Sequence, residues 1–341
     1  MVLGFDDFSI KGKVAKDNLN FISACIFLTR PPDEISTRPR WGIAFSKPFA
    51  IRLGLDWRET YIAALDELKP TFLRLPVYWE DIEPEQERFV YDDYDWMIKE
   101  ANRRNIRLVL TVGRKLPRWP ECHVPAWAVS LNERVQQERV KTVLSKIVDR
   151  YMQTKNLSMW QVENEPFLSF GKCPPLDTHF LEEEISLVRS RDPRHPVMLT
   201  DSGELSIWLR AASRADVFGT TMYRVIWNDY IGYIHYPFPY KFFWIKANIV
   251  HFFYPKKPII VSELQAEPWG PKLIHEISLE EQEKSMNLQQ FRENIAYAQN
   301  VGFKEIYLWG TEWWYWMKIK HDRPEFWEEA RRVMEITESA Y

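Results

Sequence analysis

Short apolar runs alternate with longer amphipathic segments from about residue 41 to the C-terminus. Most of the runs are continuously apolar, which is typical of strands that are covered on both faces. The segments between them have apolar positions at helical spacing. The pattern predicts eight strands, at 41–45, 71–77, 106–112, 157–162, 196–200, 216–223, 257–263 and 305–309.

The helical segments begin and end at residues that favour helix termini. The segment 278–302 opens with Ser278 followed by Glu281, which is a capping box, and closes near Gly302. The segment 56–70 starts at Asp56 and stops at Pro70. We therefore predict one helix in each segment.

Repeated strand–helix units indicate a parallel sheet. An open doubly wound sheet would also fit, but no glycine-rich phosphate loop follows the first strand, which favours a closed barrel. The predicted fold class is α/β, with a single (β/α)8 TIM barrel over residues 41–341. We expect residues 1–40 to form an N-terminal extension that packs on the barrel.

Composition excludes several classes of function. The 45 Lys and Arg residues nearly balance 48 Asp and Glu residues, so no basic field recruits nucleic acid. The cysteines Cys25, Cys122 and Cys173 lack zinc-like or CxxC spacing, and free thiols are expected. The apolar stretch 21–28 is shorter than the ~20 residues that a membrane-spanning helix needs, so we expect it to pack against the domain, with a remnant anchor or signal as the alternative.

Charged and aromatic side chains stand at the predicted strand ends. The fourth strand is followed by Glu163, Asn164 and Glu165, and the seventh ends in Glu263. Arg74 interrupts the apolar second strand, and a buried arginine requires an acidic partner. Because the carboxyl ends of barrel strands converge on one bowl, we expect these side chains to meet there, together with Tyr223 and Trp309 from the sixth and eighth strands.

Two carboxyl groups in one bowl suit hydrolysis of a glycosidic bond. One protonated carboxyl must protonate the departing oxygen while a carboxylate attacks the anomeric carbon. Arginine and tyrosine keep one acid ionised, whereas burial and a negative neighbour keep the other protonated. Sixteen tryptophans supply flat apolar faces with a polar edge, which suit the C–H faces of sugars.

At these residues the sequence resembles the retaining (β/α)8-barrel glycoside hydrolases of clan A, and within them the cellulase-like family 5. The motifs are "NEP" after strand four, "IIVSE" at strand seven, "LRLPVYWEDIEP" from strand two, "TMYR" at strand six and "YLWG" at strand eight. The resemblance implies that Glu165 is the acid/base, that Glu263 is the nucleophile and that Asn164 donates to the sugar 2-hydroxyl. It further implies that Arg74 and Tyr223 support the nucleophile and that Trp309 floors the cleavage subsite.

One motif of the family is missing. Many relatives supply a histidine from strand three, whereas this chain has "VGRKLPRWPECH", in which His123 lies well beyond the strand end. The sequence leaves the roles of His123, Arg114 and Lys115 open.

Other residues near the strand ends have two interpretations each. Glu163 and Glu267 are rivals for the catalytic positions, and Asp201 and Glu204 either contact sugar or lie in solvated turns. The remaining candidates either contact substrate or belong to packing and loops: Tyr78, Trp79, Glu80, Gln265, Trp269 and Trp313.

Residues 223–255 are dense in aromatic side chains and contain two lysines, Lys241 and Lys246. A hydrophobic helix does not stay fully exposed in a soluble monomer. The segment is a sixth helix and lid packed on the barrel, an apolar wall for a lipid or aryl aglycone, or a peripheral membrane contact.

The sequence therefore predicts a retaining β-glycoside hydrolase that needs neither metal nor organic cofactor and acts on a carbohydrate or glycoconjugate. The alternatives are a transglycosylase with the same chemistry, a non-catalytic carbohydrate-binding barrel and a metal-dependent barrel enzyme. A secreted, cell-surface or membrane-associated location is favoured over a cytoplasmic one. The particular sugar, the linkage and the oligomeric state stay open.

Overall fold

The computed structural model describes residues 29–32, 35–36 and 38–338, with side chains described as far as residue 335. The strands are β1 (Arg40–Ala44), β2 (Phe72–Pro76), β3 (Arg107–Val112), β4 (Leu157–Val162), β5 (Val197–Asp201), β6 (Val217–Met222), β7 (Val225–Asn228), β8 (Gly232–His235), β9 (Ile259–Gln265) and β10 (Glu305–Trp309). All of them except β7 and β8 pair in parallel and close into a barrel in the order β1-β10-β9-β6-β5-β4-β3-β2. The predicted (β/α)8 fold class is confirmed.

Helices connect the strands around the outside of the barrel. They are α1 (Lys47–Arg52), α2 (Trp57–Glu67), α3 (Trp79–Ile82), α4 (Asp92–Arg103), α5 (Glu133–Tyr151), α6 (Thr178–Arg191), α7 (Leu209–Ala212), α8 (Lys241–Phe253), α9 (Leu279–Glu283), α10 (Leu288–Val301), α11 (Thr311–Lys320) and α12 (Glu325–Glu338). None of the described helices is long and apolar enough to cross a membrane.

The seventh barrel strand, β9, lies two residues later than predicted. Leu264 and Gln265 still pair with Leu308 and Trp309 of β10, so the strand continues beyond its acid. Glu263 is therefore held inside β9, where it pairs with Thr221 of β6 and lies at a register shift toward both neighbouring strands.

The helix predicted over 278–302 is two helices, so that prediction was wrong. The cap at Ser278 is present, since its side chain accepts from the Glu281 backbone N–H. A second cap at Asn287 starts α10, and Met286 between the two helices is fully buried. The other predicted helix ends are present. Gly302, at φ 78°, ends α10 in a left-handed conformation, and Asp56 caps the start of α2.

Two layers of side chains fill the barrel. An apolar layer closes the end at which the strands begin: Phe72, Val109, Met159, Met198, Val217, Ile260 and Tyr307. Because alternate residues of a strand share a face, the next inward positions form a second layer, which is polar and fully buried: Arg74, Thr111, Gln161, Thr200 and Ser262. This polar layer underlies the carboxyl ends of the strands, where barrel enzymes carry their chemistry.

A disulfide joins Cys122 to Cys173, with 5.3 Å between the two Cα atoms. The expectation of free thiols was therefore wrong for these two residues, while Cys25 lies outside the described residues. The two cysteines are 51 positions apart, and only barrel closure brings the loops after β3 and β4 together.

Little of the predicted N-terminal extension is described. Ile35 forms an isolated bridge with Phe303, and the Asn248 side chain donates to the Arg30 carbonyl at 2.9 Å. The apolar stretch 21–28 lies outside the described residues, so its packing on the barrel stays a prediction.

The disulfide generates a prediction about stability. Replacing Cys122 and Cys173 by serine removes a cross-link that restricts the unfolded chain, so we expect to lose about 2–4 kcal/mol of unfolding free energy. Urea unfolding without reductant measures the loss. Reductant should lower the urea midpoint of the wild type and leave that of the double variant unchanged. A wild-type midpoint that does not change with reductant would contradict the prediction.

Candidate active site

The Arg74 guanidinium is the centre of the polar layer. Its Nε donates to Gln161 at 2.7 Å, Nη1 to Glu263 at 2.6 Å and Nη2 to Asn164 at 2.9 Å. Arg74 is fully buried, and these partners lie on β4, β9 and the loop after β4. A single cation thus connects β2 to the two barrel strands that carry the predicted acids.

Both oxygens of Glu263 are hydrogen-bonded. Oε1 accepts from Arg74, and Oε2 accepts from the Tyr223 hydroxyl at 2.9 Å. The Tyr223 ring is itself positioned by Trp269, which packs edge-on with 5.3 Å between ring centres. The structure therefore brings the predicted nucleophile together with both of its predicted supports and fixes its orientation.

Glu165 also lies at the carboxyl end of the barrel, close to the strand that carries Glu263. The Thr221 hydroxyl donates to its Oε1 at 3.1 Å, and Thr221 pairs directly with Glu263 across β6 and β9. Burial raises the pKa of Glu165 well above 4.5, and the negative charges of Glu263 and Glu121 raise it further, against the opposing charge of Lys115. The two predicted catalytic acids are thus neighbours with different electrostatic surroundings.

Glu163 is occupied in holding the loop after β3. Its two oxygens accept from the backbone N–H groups of Arg114 at 2.7 Å and Lys115 at 2.6 Å. Strand parity would put Glu163 and Glu165 on one face, but both have positive φ, 56° and 42°, so the alternation fails at the strand end. Glu163 therefore turns to the loop after β3, while Glu165 accepts from Thr221 on β6, the strand that pairs with β9.

Asn164 links the acids to a residue that the sequence analysis missed. Its Oδ1 accepts from Arg74, while its Nδ2 donates to Glu121 Oε2 at 3.1 Å. Glu121 is 7% exposed, and burial together with the charge of Glu263 raises its pKa to about 8. Its position in the loop after strand three was the only available signal, because that loop also opens at the carboxyl end of the barrel.

Arg118 covers one face of Trp309. Its guanidinium lies 4.0 Å from the Trp309 ring centre and 3.8 Å from that of Phe49. It forms ion pairs with Glu267 and with Glu312, the latter at 2.7 Å. Only the opposite face of Trp309 can therefore serve a sugar, and Glu267 belongs to this ion-pair cluster.

Four predicted substrate contacts lie in the protein interior. The Tyr78 hydroxyl donates to the Pro117 carbonyl and is hydrogen-bonded to the Ser46 hydroxyl, and the Trp79 and Trp313 indoles donate to Glu83 and Gln282. Gln265 uses both ends of its amide on the backbone of residues 224 and 225. These polar groups serve packing instead of substrate because buried donors and acceptors must be satisfied internally.

The residues whose roles were open hold the rim of the bowl. His123 contacts Glu80 through Nδ1 and the Arg118 carbonyl through Nε2, each at 3.0 Å. Arg114 pairs with Glu133 on α5, and Lys115 Nζ donates to the carbonyls of Glu165 and Leu168. Glu80 therefore positions the loop through His123.

Asp201, which ends β5, and Glu204, which follows it, are both buried. Asp201 accepts from the Ser202 backbone N–H at 3.0 Å, and Glu204 accepts from that of Tyr223 at 3.0 Å. Burial raises the pKa of both carboxyl groups, that of Glu204 to about 8. Neither is a solvated turn residue, and Glu204 helps to place Tyr223.

The aromatic segment 223–255 contains the β7–β8 hairpin and α8. Phe243, Trp244, Ala247 and Val250 are buried, so α8 packs on the barrel as the sixth helix. At the hairpin tip, Tyr230 is 94% exposed and Ile231 is 72% exposed. The segment thus combines a packed helix with an apolar projection.

No family model and no curated protein sequence matches this chain. Solved structures do resemble it. A β-galactosidase from Rahnella sp. R3 has a TM-score of 0.62 at 12% identity, over 91% of this chain and 58% of its own. Xylanase 10B from Thermotoga maritima has a TM-score of 0.57 at 15% identity, over 89% and 97%. A GH5_18 protein from Bifidobacterium longum subsp. longum has a TM-score of 0.55 at 12% identity, over 80% and 69%.

The similarity to these solved structures supports the (β/α)8 barrel fold of this chain. The chain spans between 50% and 58% of the length of the three β-galactosidases that it matches first. The site itself must therefore carry any inference about activity.

The Arg74–Glu263 pair generates a second stability prediction. Arg74→Met leaves a buried carboxylate without its cation, so we expect a loss of about 3–5 kcal/mol of unfolding free energy. Arg74→Met combined with Glu263→Gln should recover at least about 1 kcal/mol, because the unpaired charge is gone. Urea unfolding measures both.

Arg40→Met is a matched control. It breaks a partly exposed 3.4 Å pair with Glu305 in the same barrel and should cost less than about 1 kcal/mol. Additive losses in the Arg74/Glu263 double variant would contradict the coupling.

Proposed function

We propose that this chain is a retaining β-glycosidase in which Glu263 is the nucleophile and Glu165 the acid/base. The observation that carries the proposal is the difference between two neighbouring carboxyl groups. Glu263 accepts from a buried guanidinium and a tyrosine, whereas burial and the charge of Glu263 raise the pKa of Glu165. Double displacement requires a carboxylate held to attack and a second carboxyl group that keeps its proton.

The reaction proceeds in two steps. A carboxylate oxygen of Glu263 forms a bond to the anomeric carbon while the bond to the leaving oxygen breaks, and Glu165 transfers its proton to that oxygen. Glu165 then takes a proton from water, whose oxygen displaces Glu263 and restores the starting anomeric configuration. Thr221 holds Glu165 through its hydroxyl in the starting state.

Apolar side chains on the bowl rim support a substrate with an apolar aglycone. Leu205 and Ile207, in the loop after β5, are exposed, as are Tyr230 and Ile231 at the hairpin tip after β6. Both connections leave the carboxyl ends of barrel strands, on the side where substrate enters. The β-galactosidase and xylanase names of similar structures support a β-linked sugar, and the rim extends the proposal to aryl or lipid glycosides.

Substitution of the two acids tests the proposal. With an alkyl or sugar leaving group, Glu263→Gln should lower kcat by at least about 10⁴-fold, and Glu165→Gln by about 10²–10⁴-fold. A dinitrophenyl leaving group needs little protonation, so the loss in Glu165→Gln should shrink there while that in Glu263→Gln persists. Steady-state kinetics on aryl and alkyl β-glycosides measures both.

Labelling and stereochemistry complete the test. A 2-deoxy-2-fluoroglycoside should label Glu263, and NMR should show first a β-product. Glu138→Gln, on the exposed face of α5, is the matched control and should keep full activity. An α-product, or full activity in both site variants, would refute the proposal.

The raised pKa of Glu165 predicts the alkaline side of the pH profile. Glu165 donates a proton only while protonated, so kcat/KM should hold above pH 4.5 and fall as pH rises through the raised pKa. With the same alkyl or sugar glycoside, Glu165→Gln should abolish this alkaline fall. An alkaline limb that survives unchanged in the variant would assign the titration to another group.

A further inference from the structure

Glu121 is held in place by its surroundings on several sides. Its N–H donates to the Arg118 carbonyl at 2.7 Å, its carbonyl accepts from Leu116 at 2.8 Å, and the next residue forms the disulfide to Cys173. Its φ is 72°, a left-handed conformation that is unfavourable for glutamate. Strained residues held this firmly cluster at functional sites.

The Glu121 carboxyl has no cation among the described residues. Oε2 accepts from the Asn164 amide at 3.1 Å, and Oε1 has no hydrogen bond to any described side chain or backbone group. The nearby cations are committed elsewhere: Arg74 to Glu263, Lys115 to two backbone carbonyls and Arg118 to Glu267 and Glu312. A buried acid without a counter-ion costs stability, and such costs are characteristic of functional sites.

A second carboxyl group at this floor is also incompletely satisfied. Glu267 Oε2 is buried without a hydrogen-bond partner, and burial raises the pKa of Glu267 to about 7, with Arg118 opposing and Glu263 adding to the rise. The floor therefore has more acid groups than the described cations neutralise.

We propose that the sugar bound beside Glu263 carries an ammonium group on the carbon next to the anomeric centre, and that Glu121 binds this group, an inference that rests on the proposed glycosidase activity. An ammonium supplies both the positive charge and the donors that Glu121 Oε1 lacks. When it binds, Glu121 is ionised and releases its proton to solvent. No group of three or more His, Cys, Asp and Glu residues in the described chain could hold a metal ion at this place instead.

The hydrogen-bond chain sets the position of the ammonium. From Glu263 it runs through Arg74 and Asn164 to Glu121, with bonds of 2.6, 2.9 and 3.1 Å. Glu121 is thus separated from the attacking carboxylate by two side chains lining the same floor. Because both carboxyl groups contact this Arg74–Asn164 pair, we assign the ammonium to the ring carbon next to the one that Glu263 attacks.

Aryl β-glycosides that differ only at carbon 2 test the inference. Glycosides with 2-amino, 2-acetamido and 2-hydroxy groups, in gluco and galacto configuration, are compared by kcat/KM. The wild type should prefer the 2-amino sugar by at least about 10-fold, as a charge-assisted hydrogen bond implies. Glu121→Gln should lower kcat/KM on that sugar by about 10–100-fold more than it lowers kcat/KM on the 2-hydroxy sugar.

Two further variants separate recognition from folding. Glu121→Asp keeps the charge and should retain part of the preference, and Glu138→Gln makes the same chemical change on an outer helix and should retain all of it. Fluorosugar labelling of Glu263 in Glu121→Gln shows that the variant folds. Equal losses on all three sugars, or a wild-type preference for the 2-hydroxy sugar, would overturn the inference while leaving the glycosidase proposal intact. No turnover of any glycoside and no labelling of Glu263 would overturn both.

Discussion

One buried guanidinium organises the floor of this barrel. Arg74 has no access to solvent, so its donors must find acceptors inside the barrel. They find Gln161, Asn164 and Glu263, which ties β2 to β4 and β9 in a fixed register. The same contacts orient Glu263 and leave the Asn164 amide directed at Glu121. Geometry at three functional positions thus follows from satisfying one buried charge.

The charge of Glu263 links the chemistry of its neighbours. It contributes to the raised pKa of Glu165 and to that of Glu121. A covalent bond between Glu263 and a sugar would remove this charge, so the proton affinity of Glu165 would fall between the first step and the second. An acid that must first give and later accept a proton benefits from that change. The electrostatics of the empty site therefore suit both halves of a double displacement.

Local sequence patterns were enough to predict the barrel and the acids at its strand ends. Continuous apolar runs predicted every barrel strand, and convergence of strand ends predicted that Arg74, Glu165, Glu263 and Tyr223 would meet. The sequence did not predict the disulfide or the position of Glu121, because both depend on two loops that approach each other only when the barrel closes. Gln265 and Trp313 were candidates by position along the chain, but sequence cannot show that their polar atoms bind the protein itself.

Strand and loop backbone have different tasks in this site. Glu263 lies within β9 and pairs with Thr221 of β6, whereas Glu165 and Glu121 lie in loops with positive φ. The loops are stabilised by Cys122–Cys173, by Glu163 on two backbone amides and by His123, none of which touches Glu263. A change of sugar can therefore arise in residues 114–123 while the attacking group stays in place. Under the proposed roles, the nucleophile lies in the sheet and recognition lies in a cross-linked loop, so Glu121 is the position at which substrate choice would separate from the chemistry of bond cleavage.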